Sequence, residues 1–329
     1  MPQTATLTAR LRAAFDAYAD AQTFAGEPAS LYGPISELMG HRGKAVRPTL
    51  LQLAHALGSD DDAAALPAAY ALELFHNFTL VHDDIMDEAP LRRGRPAMHV
   101  AAGVPTAILA GDAMLIATYG YFLDAYAPEL ATRLLAEFQA TAMRLCEGQQ
   151  LDMDLERGVD ASYGDYLRMI YGKTGVLLTS ALVLGGTIAG LADDQLRLLR
   201  DAGDLAGRAF QLQDDLLDTF STSAVTGKAD YGDIVRGKRS APYFVALDRA
   251  DDGQRARLAE AYAWSVDVRR ARVSEVLELY RELGVEKYLR ERVEEATGAG
   301  LAHLRRLGGD LEARRELIEF IERLAGRLS

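Results

Sequence analysis

Residues 195–217 read QLRLLRDAGDLAGRAFQLQDDLL, and this stretch decides the fold class. Its apolar residues recur at intervals of three and four, the period of a helix with one buried face. Residues 129–151 (ELATRLLAEFQATAMRLCEGQQL) and 274–296 (SEVLELYRELGVEKYLRERVEEA) repeat the pattern. Strand-type alternation is absent. Most of the ten prolines, Pro28, Pro48, Pro90 and Pro242 among them, fall at helix boundaries. The reading is an all-α fold of about a dozen helices. With no linker and no internal repeat, residues 1–329 are expected to form a single domain.

The chain has 329 residues and a net charge of −12, with no basic tract, which excludes nucleic acid as a partner. An anionic ligand would need local cations or metal ions. The lone cysteine, Cys146, excludes an internal disulfide and a multi-cysteine zinc site, and fits a cytoplasmic setting. The N-terminus carries no apolar core of signal-peptide type. Residues 174–192 are uncharged, but the run is solitary and Gly185-Gly186 interrupts it. It reads as a core helix, and no transmembrane segment is expected.

The end of the opening stretch raises the chemical question. Asp214, Asp215 and Asp218 make D-D-x-x-D, the spacing also found at Asp83, Asp84 and Asp87. On a helix the first and fifth positions lie on one face, a turn apart. Three carboxylates beside apolar residues repel one another and persist when something strongly positive is bound. Hard oxygen donors without a Cys or His pair point to Mg2+, which takes one or two carboxylates plus phosphate oxygens. Each cluster precedes a long loop with cations: Arg92, Arg93 and Arg95 within 88–103, and Lys228, Lys238 and Arg239 within 221–240. Lys44 and Arg47 would share a face if their segment is helical, and Lys173-Thr174 opens the apolar run. These cations exceed the needs of one diphosphate, which suggests two anionic groups, one clamped by metal and one by cations alone.

HDDIMDEAPLRRGRP at 82–96 and FQLQDDLLD at 210–218 resemble the two aspartate-rich motifs of the trans-isoprenyl diphosphate synthases, the polyprenyl synthetases. The likeness runs from RGKAVRP at 42–48 to GKRSAP at 237–242. It includes Phe75-His76, His99, Gly111-Asp112, the GQQLD of 148–152 and Lys173-Thr174. It implies helices around a deep central cavity, usually in a homodimer, and an enzyme with Mg2+ as cofactor (three ions, with Mn2+ as substitute). Asp83 and Asp87 would bind two of the metals and Asp214, with Asp218, the third; Asp84 and Asp215 complete the catalytic clusters. Arg92, Lys173, Thr174, Gln211, Lys228 and Lys238 would hold the allylic diphosphate, with Lys173 and Lys228 also serving catalysis. Lys44, Arg47, His76 and Arg93 would hold isopentenyl diphosphate. In one departure from the family pattern, Ala45 stands where a second cation usually follows the lysine.

The implied reaction is head-to-tail condensation of isopentenyl diphosphate with dimethylallyl, geranyl or farnesyl diphosphate. Product length is expected to depend on residues a turn or two before Asp83. The aromatic Phe78 resembles synthases of C20 product, with C15 second; Thr79 lies nearly under Asp83, and Phe75 is a further candidate plug. Two other readings are a non-catalytic, isoprenoid-binding subunit of a hetero-oligomer and a terpene cyclase. Inactive partners often lose one aspartate cluster, and both are intact here. A cyclase needs no clamp of the Lys44–Arg47 kind for a second diphosphate.

Overall fold

The computed structural model of the chain describes residues 6–157, 161–221 and 231–326. The described residues are almost wholly helical: α1 Leu7–Ala21, α2 Ala29–Gly40, α3 Val46–His55, α4 Leu66–Met86, α5 Met98–Ala102, α6 Val104–Ala125, α7 Pro128–Glu156, α8 Tyr163–Ile170, α9 Val176–Ile188 and α10 Asp193–Phe220. Further helices follow at Gly232–Arg236, Ala241–Arg249, Asp252–Ala263, Val266–Ala271, Val273–Glu282, Val285–Arg305 and Leu311–Ala325. The total exceeds a dozen because pieces such as Met98–Ala102 and Gly232–Arg236 are too short for a periodic pattern to register.

The chain sorts into two compact units. The first comprises Met1–Gln139, Ser180–Leu199 and Leu307–Leu317; the second comprises Ala140–Thr179, Arg200–Arg306 and Ile318–Ser329. In the first unit α4 is central and packs most extensively on α6. Residues 68–75 of α4, from Ala68 to Phe75, are buried on every side of the helix. Such all-round burial calls for apolar residues on every face, and the sequence supplies them with one exception, Glu73. Glu316 of the Leu311–Ala325 helix accepts from the backbone nitrogens of Leu7 and Thr8, placing a carboxylate at the N-terminus of α1.

The loop at 88–103 has structure of its own. β1, Leu91–Arg92, pairs antiparallel with β2, Arg95–Pro96. Arg93 (φ 52°) and Gly94 (φ 76°) turn between them, the positive pair that a type I′ hairpin needs.

The apolar run lies inside the protein: Val176, Leu177, Leu178, Ala181, Leu182 and Leu184 of α9 are all buried. The pair Gly185-Gly186 does not interrupt this helix. A Cβ on Gly185 would stand 2.0 Å from the Leu51 carbonyl oxygen, so the glycine admits a neighbouring backbone. A second helix, α6, is also long and apolar enough to cross a membrane, and it is far more exposed than the 163–188 run.

In the second unit α8 begins at a capping box of Ser162 and Asp165 and leads into a π-helical turn, Tyr171–Gly175, which carries Lys173 and Thr174. Glycines bring its backbone against two helices. A Cβ on Gly148 of α7 would stand 2.3 Å from the Lys173 nitrogen, and one on Gly207 of α10 would stand 2.5 Å from the Gly175 Cα.

Candidate active site

The first cluster occupies the last turn of α4, with Asp87 as its C-cap. Its three carboxylates are not equivalent. Asp84 is 3 % exposed, while Asp83 is half-buried and Asp87 exposed. The Arg92 guanidinium on β1 explains the burial: Nε lies 3.0 and 3.1 Å from the two Asp84 oxygens, and Nη2 makes a further bond to the same carboxylate. The hydrogen bond to Asp84 is the largest influence on Arg92 and raises its pKa against burial. Arg92 Nη2 is also 3.8 Å from Asp83. A cavity of about 590 Å³ opens beside this pair, lined by Leu38, Leu80, Val81 and Arg93 among others.

Three of the cations and imidazoles expected at the second diphosphate meet on the same unit. His76 of α4 is held far below its ordinary pKa, first by burial and then by Arg47, Arg93 and Arg92, so it stands as a neutral imidazole. Burial pulls Arg47 down to about 10, opposed by Glu73 and reinforced by Arg93. The Arg47 Nε is buried without a hydrogen-bond partner, a donor waiting for an acceptor. Glu73, only 2 % exposed, escaped the sequence reading; burial raises its pKa while Arg47 and Arg93 pull it down. Lys44 does not share a helical face with Arg47. Ala45 takes a left-handed conformation at φ 45° and α3 starts only at Val46, so Lys44 sits exposed on the preceding turn. Its neighbour Gly43 abuts Arg93, where a Cβ would lie 2.9 Å from Nη2, and Arg93 also donates to the His41 carbonyl at 2.8 Å.

The second cluster, near the end of α10, repeats the division. Asp215 is 4 % exposed; Asp214 and Asp218 are half-buried. Asp215 accepts from Gln211 Nε2 at 3.1 Å, from the Ala241 amide at 3.0 Å and from the Tyr166 hydroxyl. Burial, and next the negative charge of Asp233, push its carboxyl up to about 7. Lys173 pairs with Asp152 at 2.6 Å. Burial would lower Lys238, yet Asp152, Asp233 and Asp215 together leave its pKa raised. Gln211, expected at the allylic diphosphate, here binds Asp215. Thr174 is half-buried in the π-helical turn. Lys228 lies outside the described residues.

Sequence reasoning missed Tyr166, Asp152 as the Lys173 partner, and Phe138. The ring of Phe138 meets Phe75 at 4.8 Å, Tyr119 at 5.3 Å and Phe122 at 5.4 Å between centroids. Phe78 touches this group through Phe75 at 5.4 Å and is only half-buried. The Thr79 hydroxyl bonds back to the His76 carbonyl at 2.8 Å.

Among the described residues no three carboxylates or imidazoles converge to hold a metal alone. The donor set still suits Mg2+. Two outer carboxylates per cluster leave most of an octahedral shell to phosphate oxygens and water, which is how this ion is usually held.

Two such aspartate-rich helix ends, each beside guanidinium or ammonium groups, offer the donors that phosphorylated anions need. The chain belongs to the polyprenyl synthetase family, whose profile matches residues 28–280. It is 37 % identical to the short chain isoprenyl diphosphate synthase of Methanothermobacter thermautotrophicus over 79 % of each chain. A crystal structure of geranylgeranyl pyrophosphate synthase superposes with a TM-score of 0.91 at 35 % identity, covering 99 % of this chain and 100 % of the other. The geranylgeranyl pyrophosphate synthase of Corynebacterium glutamicum, solved with isoprenyl diphosphate and magnesium, matches with a TM-score of 0.81 at 27 % identity, over 97 % of this chain and 98 % of that one.

Proposed function

We propose that the chain, working as a single catalytic domain, is a Mg2+-dependent prenyltransferase that condenses isopentenyl diphosphate with an allylic diphosphate (dimethylallyl, geranyl or farnesyl). It makes a short-chain trans-prenyl diphosphate, C20 first and C15 second, and releases pyrophosphate. The observation that carries this reading is the duplicated D-D-x-x-D helix end with a buried middle aspartate and accessible outer ones. Family membership and the magnesium-bound relative support it.

Asp83 and Asp87 hold two ions and Asp214, helped by Asp218, the third. Bound Mg2+, or Mn2+ in its place, supplies Lewis-acid stabilisation of the departing diphosphate. Arg92, Lys173, Thr174, Gln211, Lys228 and Lys238 bind the allylic diphosphate and complement the charge that grows as its carbon–oxygen bond breaks. Lys44, Arg47, Arg93 and the neutral His76 hold isopentenyl diphosphate, and the orphaned Arg47 Nε gains an acceptor. The double bond of isopentenyl diphosphate attacks the allylic carbon, and the released pyrophosphate takes the proton, so no side chain has to be a general base.

A homodimer is part of this proposal. On α6 the side chains of Ile108, Leu109, Ile116 and Leu123 face outward, with Ile116 72 % exposed, an apolar surface suited to a second copy. A cytoplasmic setting is proposed from the single cysteine. The test is incubation with Mg2+, isopentenyl diphosphate and each allylic diphosphate in turn, with products identified by mass. A C20 prenyl diphosphate is expected; unreacted substrates in every mixture would overturn the assignment.

A further inference from the structure

Asp215 sits in a different position from its two neighbours in the second cluster. One of its oxygens takes the Tyr166 hydroxyl and the Ala241 amide, and the other takes Gln211 Nε2. With three donors and 4 % exposure, this carboxylate faces inward. Tyr166 is itself 1 % exposed, and its ring stacks on Phe244 with centroids 5.2 Å apart and planes at 30°. Phe244 belongs to the Ala241–Arg249 helix, whose first amide is the one that Asp215 accepts. Tyr166 therefore holds that helix twice, by its ring directly and by its hydroxyl through Asp215.

Three functional segments meet at this joint. The outer aspartates Asp214 and Asp218 flank Asp215 on α10. Lys173 lies two turns beyond Tyr166, in the π-helical turn that follows α8. Lys238 stands three residues before Ala241, and its amide is tied to the Asp233 carbonyl at 2.9 Å.

We propose that Tyr166 is a positioning residue: acting through Asp215, it sets the α10 aspartates, the Lys173 turn and the Lys238 turn in one fixed arrangement for the allylic diphosphate. This rests on the function proposed above. The competing explanation is that Tyr166 is a core aromatic whose hydroxyl needs only some partner. The two differ in what a single oxygen does, because Phe at this position keeps the stacking and loses only the hydrogen bond.

The experiment compares Tyr166→Phe, Asp215→Asn and the double variant, measured well below their melting temperatures. Tyr166→Phe is expected to lower kcat about tenfold, the scale of one lost hydrogen bond to a charged group, and to raise the Mg2+ concentration for half activity. The KM for isopentenyl diphosphate should not move. In the metal-free protein, amide exchange at 238–241 should quicken. The double variant should fall no further than Asp215→Asn alone, since the tyrosine acts through the aspartate. Wild-type kcat and Mg2+ dependence in Tyr166→Phe would overturn the proposal, as would additive losses in the double variant. Unchanged exchange at 238–241 would overturn it as well. If the wild-type protein transferred no prenyl group at all, the proposed function would fail separately, and the exchange measurement would still judge the joint.

Discussion

The two aspartate clusters share one spacing and solve the same problem differently. In each, the middle aspartate is buried and the outer two stay accessible. Asp84 is held by a guanidinium that the family resemblance assigns to substrate, whereas Asp215 is held by a phenol, an amide side chain and a backbone nitrogen. A charged partner is a candidate for exchange when a diphosphate arrives; neutral donors from the protein interior are not. On the proposed function, a diphosphate would rearrange the first cluster and meet the second already held in place.

The largest effect that would break this comparison concerns the outer residues. Asp83→Ala and Asp214→Ala should each lower turnover by about a thousandfold or more, and chelation should do the same to the wild type. Full turnover in excess chelator would remove the metal from both clusters. Next comes the difference at the middle residues. Arg92→Ala strands a buried carboxylate and should cost about 2 kcal/mol of stability, because Arg92 is itself a third exposed and water relieves part of the loss. Denaturant titration of the apo protein would measure it, and a loss no larger than that of Tyr166→Phe would erase the distinction between charged and neutral partners.

A smaller effect is expected one to two turns before the first cluster on α4. Phe78 is half-buried and meets both Phe75 and His82, whereas Phe75 and Phe122 are sealed against Phe138. If Phe78 limits the product, Phe78→Ala should shift it by about one or two isoprene units, from C20 towards C25 or C30, since one unit spans roughly three residues of helix rise. Mass analysis of the products decides; an unchanged distribution would make Phe78 a packing residue.

The smallest effect is electrostatic. His76 is depressed in the folded chain and near 6.5 when unfolded, so the unfolded state takes up the proton first. The contribution of His76 to apo stability should therefore be lost as pH falls through about 6.5, while the raised Asp215 carboxyl acts in the opposite sense, so the loss is read as the difference between the wild-type and His76→Gln profiles. Identical pH profiles for the two proteins would show that the arginines around His76 do not govern it.

Much of this was legible in the sequence, for a definite reason. D-D-x-x-D at 83–87 and 214–218 is a local pattern on a helix, and helix geometry alone places the first and fifth residues together. The cations next to it were found the same way. The partners of the middle residues were not legible. Arg92 lies eight residues from Asp84 and reaches it where the chain turns back after α4, with Glu88 in a left-handed conformation (φ 50°) that glutamate seldom signals. Tyr166 is 49 residues from Asp215, and nothing in either neighbourhood announces the other. Lys44 and Arg47 were legible as cations but not as a turn, because Ala45 carries no mark of the conformation it takes.

The glycine contacts around the π-helical turn have a consequence for how this chain tolerates change over generations. Gly148 and Gly207 have no side chain to offer, yet each faces a neighbouring main chain at a distance no other residue could occupy. Every single-nucleotide change of a glycine codon that alters the amino acid enlarges it. In a randomly mutated gene library selected for activity, these two positions should be as empty of variants as the aspartates themselves. Gly298, with open space around it, should accept substitutions freely.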